Sequence, residues 1–148
     1  MAKLILSRGY TPVVGQGKAR WNNVHVHDLS ELFRLLVNRA AARSDDEELW
    51  GAKGYMLAEN GEHIWTDLAR SMSEKAAAQK LISNPKEGNL TVDAALDQAG
   101  FEALSWGLNS RGKARRARAY LGWKPSQRSL EEEVPDIILQ EQERLRKA

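Results

Sequence analysis

The run NNVHVHDLSELFRLLVNRA, residues 22 to 40, changes its apolar period part-way along. Val24 and Val26 alternate with His25 and His27, the two-residue repeat of a strand. Leu29, Leu32, Phe33, Leu36, Val37 and Ala40 then recur at the spacing of one helical stripe. Asp28 stands where an N-cap belongs, and Glu31 completes a capping-box-like start. A strand that runs straight into an amphipathic helix is half of an α/β unit. The rest of the chain must therefore supply a layer for each apolar face.

The same reading extends in both directions. PVVGQG, residues 12 to 17, predicts a short strand entering a Gly-rich turn. SDDEE, residues 44 to 48, reads as an exposed loop, and GYMLAEN, residues 54 to 60, as another strand. Trp65, Leu68, Ala69, Met72 and Ala76 mark a second amphipathic helix, and SNPKEGN, residues 83 to 89, breaks the chain. Thr91 caps a short helix that ends at Gly100. NSRGKARRARAYL, residues 109 to 121, predicts a further helix, and Ser129 with Glu132 opens a last one that Pro135 can kink. The expected fold is α/β, with few short strands, about five helices and one domain over residues 1–148. That is too few strands for a complete doubly wound sheet.

Composition narrows the function classes. No cysteine occurs, which removes disulfides and thiolate chemistry and leaves zinc only His or carboxylate ligands. No apolar run approaches a membrane span, and the first ten residues lack the pattern of a secretory signal, so a cytoplasmic location is expected. The formal net charge of +2 draws the chain strongly to neither nucleic acid nor membrane.

Four constellations carry candidate chemistry. Tyr120 and Lys124 have the Tyr-x-x-x-Lys spacing of nicotinamide-dependent dehydrogenases. Gly122 and Pro125, however, end the helix between them, so the two should not share a face. His25 and His27 have a metal-pair spacing but no local third ligand, which favours half-exposed strand residues beside a ligand cleft. Arg111, Lys113, Arg115, Arg116 and Arg118 form a basic cluster without interleaved aromatic residues, so nucleic-acid binding is a weak alternative. Gly15 and Gly17 are followed by a strand rather than a helix, so they do not make a dinucleotide fingerprint. The five tryptophans stand singly, as core residues do.

GQGKARWNNVHVHDL, residues 15 to 29, resembles the strand-turn-strand near the start of the C-terminal part of extended short-chain dehydrogenases, the NAD(P)-dependent epimerase/dehydratase proteins, in a fungal-type branch. NSRGKARRARAYLGWKPSQRSLEEEV, residues 109 to 134, is similar to that family's closing pattern. GYMLAENGEHIWTDLARSM, residues 54 to 72, resembles the strand and helix between them. The resemblance covers nearly the whole chain in collinear order. It implies a substrate-domain fragment or a degenerate member of that group, resembling the C-terminal region of a Rossmann-type enzyme whose cofactor-binding half is missing, with His27 in place of the motif's first aspartate. A complete member would use NAD or NADP. This chain alone is expected to bind no cofactor, to hold no catalytic set and to have little activity. Arg20 matches the motif arginine that meets a nucleotide phosphate, and Gly17 and His25 flank it as substrate-binding candidates. Asp28 matches a structural aspartate. The implied partners are a small-molecule substrate and a cofactor domain or a second copy. The alternative is a small-molecule-binding or assembly module that partners such a half.

Overall fold

The computed structural model describes residues 1–43 and 45–147, so Ser44 of the expected acidic loop lies outside the described residues. The order of elements is α1 (Ala2–Arg8), β1 (Thr11–Val14), β2 (Arg20–Asn22), α2 (Val26–Ala41), a 3-10 turn (Gly51–Lys53), β3 (Glu62–Ile64), α3 (Trp65–Ala78), β4 (Glu87–Leu90), α4 (Val92–Ala99), a 3-10 helix (Phe101–Gly107), α5 (Arg115–Leu121) and α6 (Leu130–Lys147). The fold is α/β with short strands. β1 pairs with β4, and β2 with β3. Among the described residues, no helix is long and apolar enough to cross a membrane.

The chain divides into two compact units. The first holds Met1–Trp21, His63–Ser110 and Glu131–Ala148, and the second Asn22–Glu62 and Arg111–Leu130. In the first, β1 and β4 run parallel with Thr11 opposite Glu87 and Val14 opposite Leu90. A parallel pair needs a crossover, and α3, which packs on β1, lies within it. Thr11, Pro12, Val13 and Val14 are all buried. Leu4, Val14, Ala95, Ala103 and Trp106 form the core, with Trp65, Leu90 and Val92 against it. The buried side of α3 carries Leu68, Ala69, Met72 and Ala76, as its period predicts. Thr91 accepts the Ala94 N–H at 3.1 Å as the expected cap, and Gly100 follows the helix. Two elements differ from expectation. The opening apolar patch is a helix, α1, burying Ala2, Leu4 and Ile5 and stopped at Gly9. The supposed break at residues 83 to 89 includes most of β4, because β1 needs a hydrogen-bonding neighbour whatever that neighbour's strand propensity.

In the second unit the expected strand over Val24–His27 is replaced by an earlier helix start. His25 is the N-cap of α2, and its Nδ1 accepts the His27 N–H at 3.1 Å. Asp28 is therefore inside the first turn and not the cap. It is 3% exposed, and its carboxylate accepts the N–H groups of Ser126 (2.8 Å) and Gln127. Its carbonyl accepts the indole N–H of Trp123 at 2.8 Å. Trp123, 1% exposed, packs with Leu32, Leu49, Ala114, Ala117 and Leu121. The basic helix is shorter than expected: 109 to 114 precede α5 as an irregular run, with Ser110 bridged to Trp21. Gly122 ends α5 at φ 65°, a left-handed position that disfavours side chains with a Cβ.

Only part of the α2 stripe is buried. Leu32 is covered, whereas Val26, Phe33 and Val37 are 64%, 61% and 63% exposed. Residues 54 to 60, expected as a strand, belong to none.

Asp28→Ala would strip two backbone N–H groups of a charged acceptor. The expected loss is about 2 kcal/mol of stability, read as a lower urea midpoint at unchanged slope. An unchanged midpoint would show that water replaces the carboxylate without cost.

Candidate ligand-binding edge

Loops at the carboxyl ends of parallel strands are where α/β folds hold ligands. In the first unit, β1 ends in the turn Gly15–Lys18, and Gly15 N–H bonds the Leu90 carbonyl at the end of β4 at 2.9 Å. Gly17 closes this turn at φ 69° by donating to the Val14 carbonyl. A Cβ on Gly17 would lie 2.8 Å from Thr66 Oγ1 and 3.0 Å from Val13 Cγ1. Gly17 thus seats the turn on α3, and the space a side chain would take is filled by the protein itself. Gly15, by contrast, faces open space.

Arg20 leaves this turn with both backbone groups fixed. Its N–H donates to Asn109 Oδ1 at 2.8 Å, and its carbonyl accepts the Ser110 N–H at 2.9 Å. Beside it the Trp21 indole N–H bonds the Leu108 carbonyl at 2.9 Å. The Trp21, Trp65 and Trp106 rings run in sequence at 5.9 and 6.5 Å, and His63 meets Trp65 edge-on at 4.6 Å. Lys18 and Arg20 are exposed. The edge therefore combines two exposed cations, an open glycine turn and the half-buried rings of Trp21 and Trp65, with Trp106 buried in the core against Trp65. Such a surface suits a small ligand with an anionic group and a flat part. Sequence reasoning found Gly17 and Arg20 but not the aromatic row, because Trp21, Trp65 and Trp106 are far apart in the chain.

A cavity of about 660 Å³ lies elsewhere in the same unit, lined among others by Lys3, Arg8, Gln98, Glu102, Glu141 and Arg144. Neither Gly17 nor Arg20 lines it. Its charges are mixed, and Glu141 and Arg144 pair at 3.6 Å. The turn edge, where Lys18 and Arg20 are exposed, is the better candidate for selecting an anion.

The remaining sequence candidates fall in the second unit. His25 caps α2, with its ring 5.1 Å from that of His27. Among the described residues no cluster of three His, Asp or Glu side chains could hold a metal. Tyr120 sits in the last turn of α5 under Arg116, whose guanidinium is 4.7 Å from the ring centre, and Lys124 lies beyond the helix end. Most of the basic cluster is matched by acids. Arg111 pairs with Glu62, Arg116 with Glu48, and both Lys113 and Arg118 with Glu59. Arg116 also donates to the carbonyls of Glu48 and Lys53.

Glu59 is the centre of this set, 5% exposed and accepting the buried Ala114 N–H at 3.2 Å. Burial pushes its carboxyl upward. The Ala114 N–H, Lys113 and Arg118 outweigh that push and hold its pKa below the usual glutamate value. A depressed folded pKa gives stability that is present above the unfolded value and lost as pH falls through the folded one. Glu59→Gln should therefore cost about 1–3 kcal/mol at pH 7. The gap from the parent protein should close as pH drops from about 4.5, the ordinary glutamate value, toward acid denaturation. Urea melts at pH 7 and pH 3.5 check this, and a gap that stays constant would show that the charge is not what matters.

No family model matches the chain, and no solved structure matches it. The chain is similar to oxidase ucsJ of Acremonium sp, at 38% identity over 151 residues that cover 98% of this chain and 43% of that protein. It thus spans less than half the length of the curated relative it matches.

Proposed function

We propose that the chain is the substrate-domain part of an extended short-chain dehydrogenase/reductase of the NAD(P)-dependent epimerase/dehydratase group. It serves the oxidation of a small molecule in the cytoplasm only together with a cofactor-binding half. The observation that carries this reading is the match to a protein named an oxidase, which runs through almost the whole chain yet leaves more than half of the relative unmatched. The collinear motifs around Arg20 and Trp123 support it, as does the parallel β1–β4 pair, the kind of strand pairing from which α/β sheets are built.

NAD or NADP does not fit this chain's own residues. A pyrophosphate needs a glycine loop that opens a helix and presents free amides. The Gly15–Lys18 turn leads into β2, and the space at Gly17 is filled by Thr66 and Val13. At the other parallel strand end, the Thr91 hydroxyl already occupies the Ala94 N–H. On this reading the cofactor is held by the other half. The role left to this chain is to bind and orient substrate, with Arg20 as the anion contact and the half-buried Trp21 and Trp65 rings as its aromatic side.

The test co-expresses the chain with the portion of the Acremonium oxidase that it does not match. Cofactor fluorescence should change on adding NADH or NADPH to the complex, and not on adding either to the chain alone. Micromolar binding by the chain alone would overturn the assignment. In the complex, with the Acremonium oxidase's own substrate as probe, Arg20→Ala should lower kcat/KM about ten- to a hundredfold, the value of one charge-assisted pair. Melting and cofactor affinity should stay unchanged, and an unaltered kcat/KM would remove Arg20 from the site.

A further inference from the structure

Of the chain's asparagines, only Asn60 is followed by a glycine. The main chain is clamped on either side of this pair. Asn60 N–H donates to the Asn23 carbonyl at 2.8 Å. The Gly61 carbonyl accepts from Asn23 N–H at 3.1 Å and from Asn22 Nδ2 at 3.3 Å. Two residues thus oppose one, the arrangement of a β-bulge. The groups between the clamps are left bare. Among the described residues, neither the Gly61 N–H nor the Asn60 side-chain amide has a hydrogen-bond partner, and Asn60 is exposed. The fold also demands the glycine. Its φ is 144°, and a Cβ there would lie 2.6 Å from Asn23 Oδ1.

Asn109 gives the contrast, since another small residue, Ser110, follows it. There the same two groups are engaged. Asn109 Oδ1 accepts the Arg20 N–H at 2.8 Å, and the Ser110 N–H donates to the Arg20 carbonyl at 2.9 Å.

We propose that Asn60 is a site of spontaneous deamidation in the folded chain, and that the reaction releases the Asn23 clamp. The Gly61 nitrogen attacks Asn60 Cγ. The N–Cγ bond forms, the Cγ–Nδ2 bond breaks, and the side-chain nitrogen leaves as ammonia with the proton from Gly61. A glycine puts no side chain in the way of this attack, and a bare N–H gives up no hydrogen bond to make it. Water then opens the cyclic imide. Opening at Cγ leaves aspartate, and opening at the main-chain carbonyl leaves isoaspartate. Nothing is oxidised or reduced, and water is the only co-reactant. Isoaspartate lengthens the main chain by one methylene, between the two groups that grip Asn23. Both bonds cannot then keep their present spacing. Asn23 stands two residues before His25, the cap of α2, so the entry to that helix loosens. Either product also adds a carboxylate between Glu59 and Glu62, whose charges Lys113, Arg118 and Arg111 already hold. The site does not depend on which reaction the chain serves.

The test ages the folded chain at neutral pH and physiological temperature and maps its peptides by mass. Asn60 should convert to aspartate and isoaspartate with release of ammonia, while Asn109 stays intact. In urea Asn109 should react as well, because its bonds to Arg20 are gone. Asn60→Ser removes the reacting amide without breaking a hydrogen bond, and ammonia release should fall with it. An Asn60 that persists in the folded chain, or converts no faster there than Asn109, overturns the site, as does undiminished ammonia release from Asn60→Ser. Hydrogen exchange then reads the clamp. The Asn23 amide should exchange about tenfold faster in the isoaspartate form, the scale of one lost hydrogen bond. Freshly prepared Asn60→Asp brings the charge without the methylene and should keep that amide slow. Equal acceleration in Asn60→Asp overturns the methylene as the cause, and an Asn23 amide still protected in the isoaspartate form overturns the release.

Discussion

The chain passes between its two units four times, so each unit is closed only by contacts between segments far apart in sequence. Such closures carry a loop-entropy cost before they gain anything, and they must be specific to hold. The second unit achieves this with side chains bonded to backbone. Asp28 reaches the turn after α5, and Trp123 returns a bond to the Asp28 carbonyl 95 residues away. The two bonds fix the first turn of α2 against the end of α5, and the apolar contacts of Leu32, Ala117 and Leu121 fill in around them. The first unit uses backbone instead: β1 has all its residues buried, and β4 satisfies its ladder. Where burial was complete a strand partner was obligatory, and a sequence as poor in strand formers as Glu87–Leu90 was recruited.

Charge follows the same division. A run of five cations with no nearby acid in sequence looks like a surface for a polyanion. In the folded second unit, glutamates from 48, 59 and 62 come to meet it. Glu59 shows how these pairs acquire structural weight. A buried carboxylate would be a liability on its own, but the Ala114 N–H and two cations keep it charged. The arginines in turn spend donors on the carbonyls of Glu48, Lys53 and Glu59. The basic helix thus holds the chain at Glu48, Lys53 and Glu59, and the field it presents outward is smaller than its composition suggests.

Local signals were legible and partner-dependent ones were not. Thr91 with Gly100, and Gly122 with Pro125, mark the bounds of α4 and the end of α5, because capping depends only on the nearest residues. The alternation at 24 to 27 misled, since His25 competes locally for the His27 amide and starts the helix before any strand can pair. The alternation at 54 to 60 is real in its burial but lacks a ladder, which no single segment can supply. The stripe on α2 identifies the buried face through Leu32. Its width, out to Phe33 and Val37, exceeds what the unit covers. At the candidate edge, Gly17 and Arg20 were visible as a motif. The aromatic row was not, because Trp21, Trp65 and Trp106 meet only once α3 and the 3-10 helix have packed.

Two of these mismatches share a sign: on α2 and at residues 54 to 60 the sequence carries more apolar and strand-like pattern than the folded unit uses. Val26, Phe33 and Val37 on α2, and Tyr55 and Leu57 before β3, are patterned as interior residues yet exposed. Isolated exposed apolar residues are ordinary, but a period-matched set on two elements of one small unit is a larger apolar surface left to water. Under the proposed function, covering that set is itself a source of stability. A partner that binds the folded unit and not the unfolded chain stabilises it by RT ln(1 + [L]/Kd), about 2.7 kcal/mol at a hundred times Kd. That is comparable to the cost of losing the Asp28 clamp or the Glu59 charge. Assembly would then substitute for internal packing, and a weakened clamp would show its full effect only in the chain alone.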